Sequence, residues 1–218
     1  MRGIPGKKLL VGLLLVFLVA VVPTIVVPTL MCRTTGLELP DLGTVTPFAL
    51  TDERGLPFTE DGLRGHPTIV NFVFTRCDTI CPVISMKMER LQERLSDRRA
   101  EAIKLVSISV DPTYDTPARL AAYADRFHAR PDKWRFLTGA PDKVRSLVEG
   151  PFMNSMMSEG LTPSGAPAIS HNGYFALVDA DLVIRGVYDS SDIQKLDELM
   201  RHARHLARTS RGYKFGGG

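Results

Sequence analysis

Residues 68–82 read TIVNFVFTRCDTICP, and the rest of the chain is best read outward from them. Thr68 to Phe74 is a continuous β-prone run, the pattern of a central strand covered on both faces. Pro82 suits the first position of a helix, and Ile84, Met88, Leu91 and Leu95 recur behind it at helical spacing. Cys77 and Cys81 stand at the junction. Two thiols there can close a disulfide or grip a soft metal ion. With Cys81 as N-cap, its sulfur would lie by the positive end of the helix dipole, which favours thiolate. Cys77 would then sit in the preceding loop, free to bend back.

Further along, strand and helix patterns alternate. Ile103 to Val110 reads as a second strand, ended by Asp111-Pro112. Thr116 caps and Pro117 opens a helix with Leu120, Ala124 and Phe127 inward. Trp134 to Leu137 is a short strand, and Pro141 to Val148 a helical turn or two. Residues 151–168 read as an irregular excursion. Tyr174 to Val178 and Val183 to Tyr188 are two strands around Asp179-Ala180-Asp181, and 191–207 make a last amphipathic helix. Residues 41–67 read as a turn-rich lead-in, with a turn at Asp52-Glu53-Arg54-Gly55. The order predicts an α/β fold, a central mixed β-sheet flanked by helices. A cysteine pair after the first central strand of such a sheet is the thioredoxin-like arrangement. The spacing is C-x3-C rather than C-x2-C.

Residues 9–31, LLVGLLLVFLVAVVPTIVVPTLM, are apolar throughout, enough at about 1.5 Å per residue to cross a hydrocarbon core of roughly 30 Å. Arg2, Lys7 and Lys8 precede them, so the positive-inside rule places 1–8 in the cytoplasm and the remainder outside. A cleaved signal peptide is the competing reading. The stretch is long for one, carries Pro23 and Pro28 late and lacks a small-x-small site, and Thr-Leu-Met before Cys32 makes a poor lipoprotein signal. The expected organisation is an N-terminal transmembrane helix at 9–31, a linker at 32–40, one domain at 41–208 and a flexible tail at 209–218. The short leader lacks an Arg- and Ser-rich presequence, which favours a single-pass bacterial inner-membrane protein with its domain in the periplasm. A disulfide can persist in such an oxidising space. The net charge of +3 is small and its excess sits at the two ends, which argues for no nucleic-acid partner.

A metal would need a third ligand. His66 lies in an Arg-Gly-His-Pro turn and reads as solvent-facing. His128 suits a helix end, and His202 and His205 read as solvated among arginines. His171 is different, because it opens SHNGYFALVD just before the strand at Tyr174. In a thioredoxin-like sheet that loop lies beside the cysteine loop. Met153, Met156 and Met157, in PFMNSMMSEG, could offer copper a landing point, or simply pack a loop with adaptable side chains. Met88 reads as core.

FVFTRCDTICPVISMKMERLQ, VSISVDPTYDTP, WRFLTG and SHNGYFALVDADLVIRGVYD resemble, in this order, the Sco/SenC family of copper-binding proteins, over residues 39–207. The resemblance implies a thioredoxin-like fold in which two cysteines and one histidine bind Cu(I) or Cu(II). Those roles fall on Cys77, Cys81 and His171. It also implies a metallochaperone that delivers copper to the dinuclear centre of cytochrome c oxidase subunit II or to another copper protein, or that reduces that centre's cysteines. Many members carry Pro-Asp after the first cysteine where this chain has Asp78-Thr79. Ordinary thioredoxins place a cis-proline where His171-Asn172 falls, and its replacement opens space for a ligand. Thiolates are soft and prefer Cu(I), whereas imidazole suits both copper states.

Two other functions compete. A thioredoxin-like thiol–disulfide oxidoreductase or peroxidase would use Cys77 or Cys81 without His171. C-x3-C speaks against it, and a peroxidase would want a threonine where Phe74 stands. A tethered binding module with a structural disulfide would have a buried and inert pair, whereas the loop position suggests access.

Overall fold

The computed structural model describes Phe17 and residues 37–97, 100–152 and 173–213. In chain order the strands are β1 (Ala49–Asp52), β2 (Pro57–Thr59), β3 (Thr68–Val73), β4 (Lys104–Ser109), β5 (Trp134–Thr138), β6 (Tyr174–Val178) and β7 (Ile184–Asp189). The helices are α1 (Ile80–Arg94), α2 (Pro117–Arg126), α3 (Pro141–Leu147) and α4 (Ile193–Tyr213). The strands form one mixed sheet in the order β2-β1-β5-β4-β3-β6-β7. β3, β4 and β5 run parallel, and β6 lies antiparallel to β3.

All six residues of β3 are buried, as its unbroken β-prone run requires of a central strand. Ile69, Leu105, Trp134, Phe136, Phe175 and Leu177 face a layer built from α1, α2 and α4, including Met88, Leu95, Leu120 and Leu199. Val70, Val106, Leu137, Ala176 and Ile184 face the opposite layer, with Val144, Leu147 and Phe152. Ile84, Met88, Leu91 and Leu95 form the buried side of α1, and Leu120, Ala124 and Phe127 pack inward from α2 as their spacing predicts. The Thr116 hydroxyl accepts from Arg119 N–H at 3.3 Å and caps α2.

The lead-in is more structured than expected. The Asp52–Gly55 turn joins β1 to β2 in an antiparallel hairpin, and β1 adds this hairpin to the sheet beside β5. Asp52 Oδ1 accepts from the N–H groups of Arg54 and Leu56, each at 2.9 Å, and Gly55 takes the positive φ that closes the turn. At the other edge, Leu42, Gly43 and Val45 bond along Ile184 and Leu182. α4 continues past residue 207 to Tyr213, into the stretch expected to be a tail. Among the described residues no helix is long and apolar enough to cross a membrane, and residues 9–31, apart from Phe17, lie outside them.

Candidate functional site

α1 begins at Ile80, with Thr79 as its N-cap, so Cys81 is the second helical residue rather than the cap. Pro82 still falls in the first turn, where a missing N–H costs nothing. Cys77 is held by the β3–α1 turn, its N–H donating to Phe74 O at 3.2 Å. The Cys81 N–H points at the Cys77 sulfur, 3.4 Å away, and Thr79 Oγ1 lies 3.7 Å from the same sulfur. The cysteines are free thiols and both are buried, Cys77 at 7% and Cys81 at 4% exposure. The pair is therefore less accessible than its loop position suggests, with Cys77 folded back toward the Cys81 N–H.

The acidity of the pair also differs from expectation. Burial pushes the Cys81 thiol up to about 12, reinforced by the neighbouring Cys77 and the Asp115 carboxylate. A backbone hydrogen bond from Phe74 opposes this without overcoming it. For Cys77 burial also disfavours the thiolate, but hydrogen bonds from the backbone of Cys81 and Thr79 and from their side chains together hold it below the ordinary thiol value. The helix start thus favours thiolate on the cysteine that precedes it, because its N–H groups converge on the Cys77 sulfur.

His171 lies outside the described residues, as do Met153, Met156 and Met157. The chain resumes at Gly173, whose placement is informative. It directly precedes β6, which pairs antiparallel with β3 through Thr68–Val178, Ile69–Leu177 and Val70–Ala176. Gly173 has φ +62°, its carbonyl accepts from Ser190 N–H at 2.9 Å, and an added Cβ would run into Ile84 Cδ1 and stand 2.9 Å from Ile84 Cγ1. Ile84 is three residues beyond Cys81, on the same side of α1. Glycine is favoured there by both conformation and space.

Two of the other histidines, His128 and His202, are engaged elsewhere. His128 Nδ1 lies 2.7 Å from Glu89 Oε1 and is exposed. His202 is half-buried rather than solvated, with Nδ1 2.7 Å from the Tyr188 hydroxyl, and burial lowers its pKa. His66 is half-buried rather than solvent-facing, and His205 is likewise half-buried. Among the described residues no three His, Cys, Asp or Glu side chains group to hold a metal ion.

Sequence reasoning passed over Asp115. This carboxylate is wholly buried, accepts from Thr75 N–H at 3.1 Å and from the Thr75 and Ser109 hydroxyls at 2.5 Å each, and so ties the cysteine turn to the β4–α2 loop. An aspartate before a Thr-Pro helix start reads locally as a turn residue, and nothing in its spacing points to Thr75 forty residues earlier.

The sequence matches the SCO1/SenC family over residues 39–208. It is 28% identical over 172 residues to the SCO1 protein homolog of Bacillus subtilis strain 168, covering 78% of this chain and 87% of that one. The fold is similar to that of BsSco, described as having a disulfide switch and as a member of the Sco family of cytochrome c oxidase assembly proteins. The TM-score is 0.64 at 26% identity, covering 78% of this chain and 96% of that one. It is also similar to yeast Sco1 with copper bound, with TM-score 0.58 at 27% identity, covering 77% and 95%.

Proposed function

The chain belongs to the SCO1/SenC family, and on that premise we propose that Cys77, Cys81 and His171 hold one copper ion destined for cytochrome c oxidase. The observation that carries the reading is Gly173. It packs against Ile84, three residues beyond Cys81 on α1. His171 is two residues earlier, and two residues of chain span at most about 7 Å. Two thiolates that share one turn supply soft donors suited to Cu(I), and an imidazole adds a donor that also suits Cu(II). Copper is here the cargo, and three ligands leave a position open for its transfer to oxidase subunit II or to another copper protein.

The apolar stretch 9–31 serves as a single-pass anchor in a bacterial inner membrane, with the folded domain in the periplasm. This assignment rests on the length of the stretch and on Arg2, Lys7 and Lys8 before it.

A second reading is favoured by the asymmetry of the thiols. The Cys77 thiolate would attack a partner's disulfide and expel one partner thiolate, forming a mixed disulfide. Cys81 would then give up its proton and attack the Cys77 sulfur. That step yields the Cys77–Cys81 disulfide and the second partner thiolate. Oxidation of the pair would also remove both sulfur donors from copper.

Anaerobic copper titration of the reduced protein, compared with His171→Ala, tests the metal reading. The expected result is one copper per chain. In the variant most Cu(II) affinity and the sulfur-to-copper charge-transfer band are lost, while Cu(I) stays partly bound. An unchanged spectrum and affinity in the variant removes His171 from the site and moves the assignment to thiol–disulfide exchange.

A further inference from the structure

We propose that Asp115 is a positioning residue for the cysteine pair, its buried carboxylate fixing the turn that presents Cys77 to Cys81. The proposal takes Cys77 and Cys81 as the working pair of the reading above, and its primary readouts need no copper.

A buried carboxylate is costly unless its lone pairs are used. Asp115 uses them on one small region. Its oxygens accept the Thr75 N–H at 3.1 and 3.2 Å, the Thr75 hydroxyl at 2.5 Å and the Ser109 hydroxyl at 2.5 Å. Ser109 Oγ in turn accepts from Asp111 N–H at 3.1 Å. The ends of β3 and β4 are thus gathered on one group, through short bonds to an acidic side chain that are stiffer than neutral ones. Thr75 is two residues before Cys77, and the Cys77 N–H is bonded to Phe74 O, so holding Thr75 holds the start of the turn. An outer link, Arg76 Nε to Asp111 Oδ2 at 2.5 Å, joins the same two loops, but Arg76 is 59% exposed and this pair is wetted. The inner link is dry and carries the register of the turn. A turn held this way keeps the Cys77 sulfur at the Cys81 N–H before any ligand arrives, which raises its effective concentration at Cys81.

The test uses the full-length protein with all three cysteines reduced, and closure is read as the Cys77–Cys81 disulfide itself by mass spectrometry. Asp115→Ala, Asp115→Asn and Thr75→Val are compared with Arg76→Ala, which removes only the outer link. The first readout is hydrogen exchange at the amides of Thr75, Arg76 and Cys77. The second is the rate at which diamide closes the Cys77–Cys81 disulfide; the two thiols lose two electrons and two protons, and diamide becomes the hydrazine.

Asp115→Ala should speed exchange at the three amides by at least about tenfold and slow closure by about fivefold or more. Asp115→Asn keeps one acceptor oxygen and should fall between it and wild type, with Thr75→Val close to Asp115→Asn. Arg76→Ala should stay within about twofold of wild type on both readouts. Exchange that rises equally throughout β3 and β4 makes Asp115 a residue of the general fold and overturns the proposal. Should Asp115→Ala fail to fold, Thr75→Val decides alone: unchanged exchange and closure in that variant overturn it. Absence of copper binding by wild type would count against the metal reading and leave these two readouts standing.

Discussion

Asp52 and Asp115 are both buried carboxylates, 1% and 0% exposed, and the two regions that hold them do so in opposite ways. At the β1–β5 edge, Asp52 meets charge with charge. It pairs with Arg135 and with Arg54 at 3.1 Å, while Glu53 takes Arg135 at 3.0 Å and the Phe136 N–H at 2.9 Å. At the cysteine turn, Asp115 is met by hydroxyls and a backbone N–H. The first arrangement fastens an edge hairpin to the sheet through long arginine side chains. The second fixes the path of a few residues of backbone beside two sulfurs. Guanidinium groups stabilise a boundary; short neutral donors define a shape and bring no cation near a thiol pair.

Removing the charge at the edge should have the largest effect on stability. Asp52→Ala leaves Arg135 with Glu53 alone and strips the β1–β2 turn of its acceptor, for a loss of about 3 kcal/mol in urea unfolding. Iodoacetamide labelling of the cysteines should not change, and a change there would erase the division between the regions. The sign with pH follows from the Asp52 carboxyl. Burial opposes its charge, but the N–H groups of Leu56 and Arg54, the Arg54 side chain and Arg135 hold its pKa below 3.8. Its contribution is in place above pH 3.8 and is lost as pH falls through the lower folded value.

Gly173→Ala comes next. A side chain at φ +62° that also meets Ile84 should cost about 1–3 kcal/mol. If the functional region depends on this close approach, copper affinity should fall by more than the unfolding free energy alone accounts for; equal losses would show Gly173 to be a fold residue only.

The comparison is sharpened by labelling the thiols against pH. Cys77 lies below the ordinary thiol range and Cys81 is pushed up to about 12. At pH 7.5 iodoacetamide should modify Cys77 at least about tenfold faster than Cys81, read by mass spectrometry. Equal rates would mean that the turn does not distinguish them. The smallest effect belongs to Arg76→Ala, whose ion pair with Asp111 is exposed. We expect a stability change under about 1 kcal/mol in urea unfolding, and a larger loss would make the outer link equal to the inner one.

What the sequence disclosed divides along similar lines. The buried run Thr68–Val73, the α1 face and the Thr116-Pro117 start were legible because each is a local pattern read against one neighbour layer. The β1–β2 hairpin was not, since its strands are four and three residues long, with only Leu50 and Asp52 buried, too short for a period to register. The cysteine pair was legible as a pair, and its family resemblance pointed to the right fold. Its burial and the reversed acidity of Cys77 and Cys81 were not, because both arise from the way the turn folds Cys77 over the Cys81 N–H. Asp115 was hidden for the same reason: its partners are forty and six residues away, joined only when β3 and β4 lie side by side.

β3 has a parallel neighbour close behind it in sequence and an antiparallel neighbour, β6, that follows the cysteines by roughly ninety residues. During synthesis at about 5–20 residues per second, that gap is a delay of about 5–20 s. The thiols, their turn and the Asp115 clamp are all made before the strand that completes their surroundings has been translated. A newborn chain therefore holds both cysteines, Thr75 and Asp115 before β6 exists to pair with β3, for a span set by translation rather than by affinity.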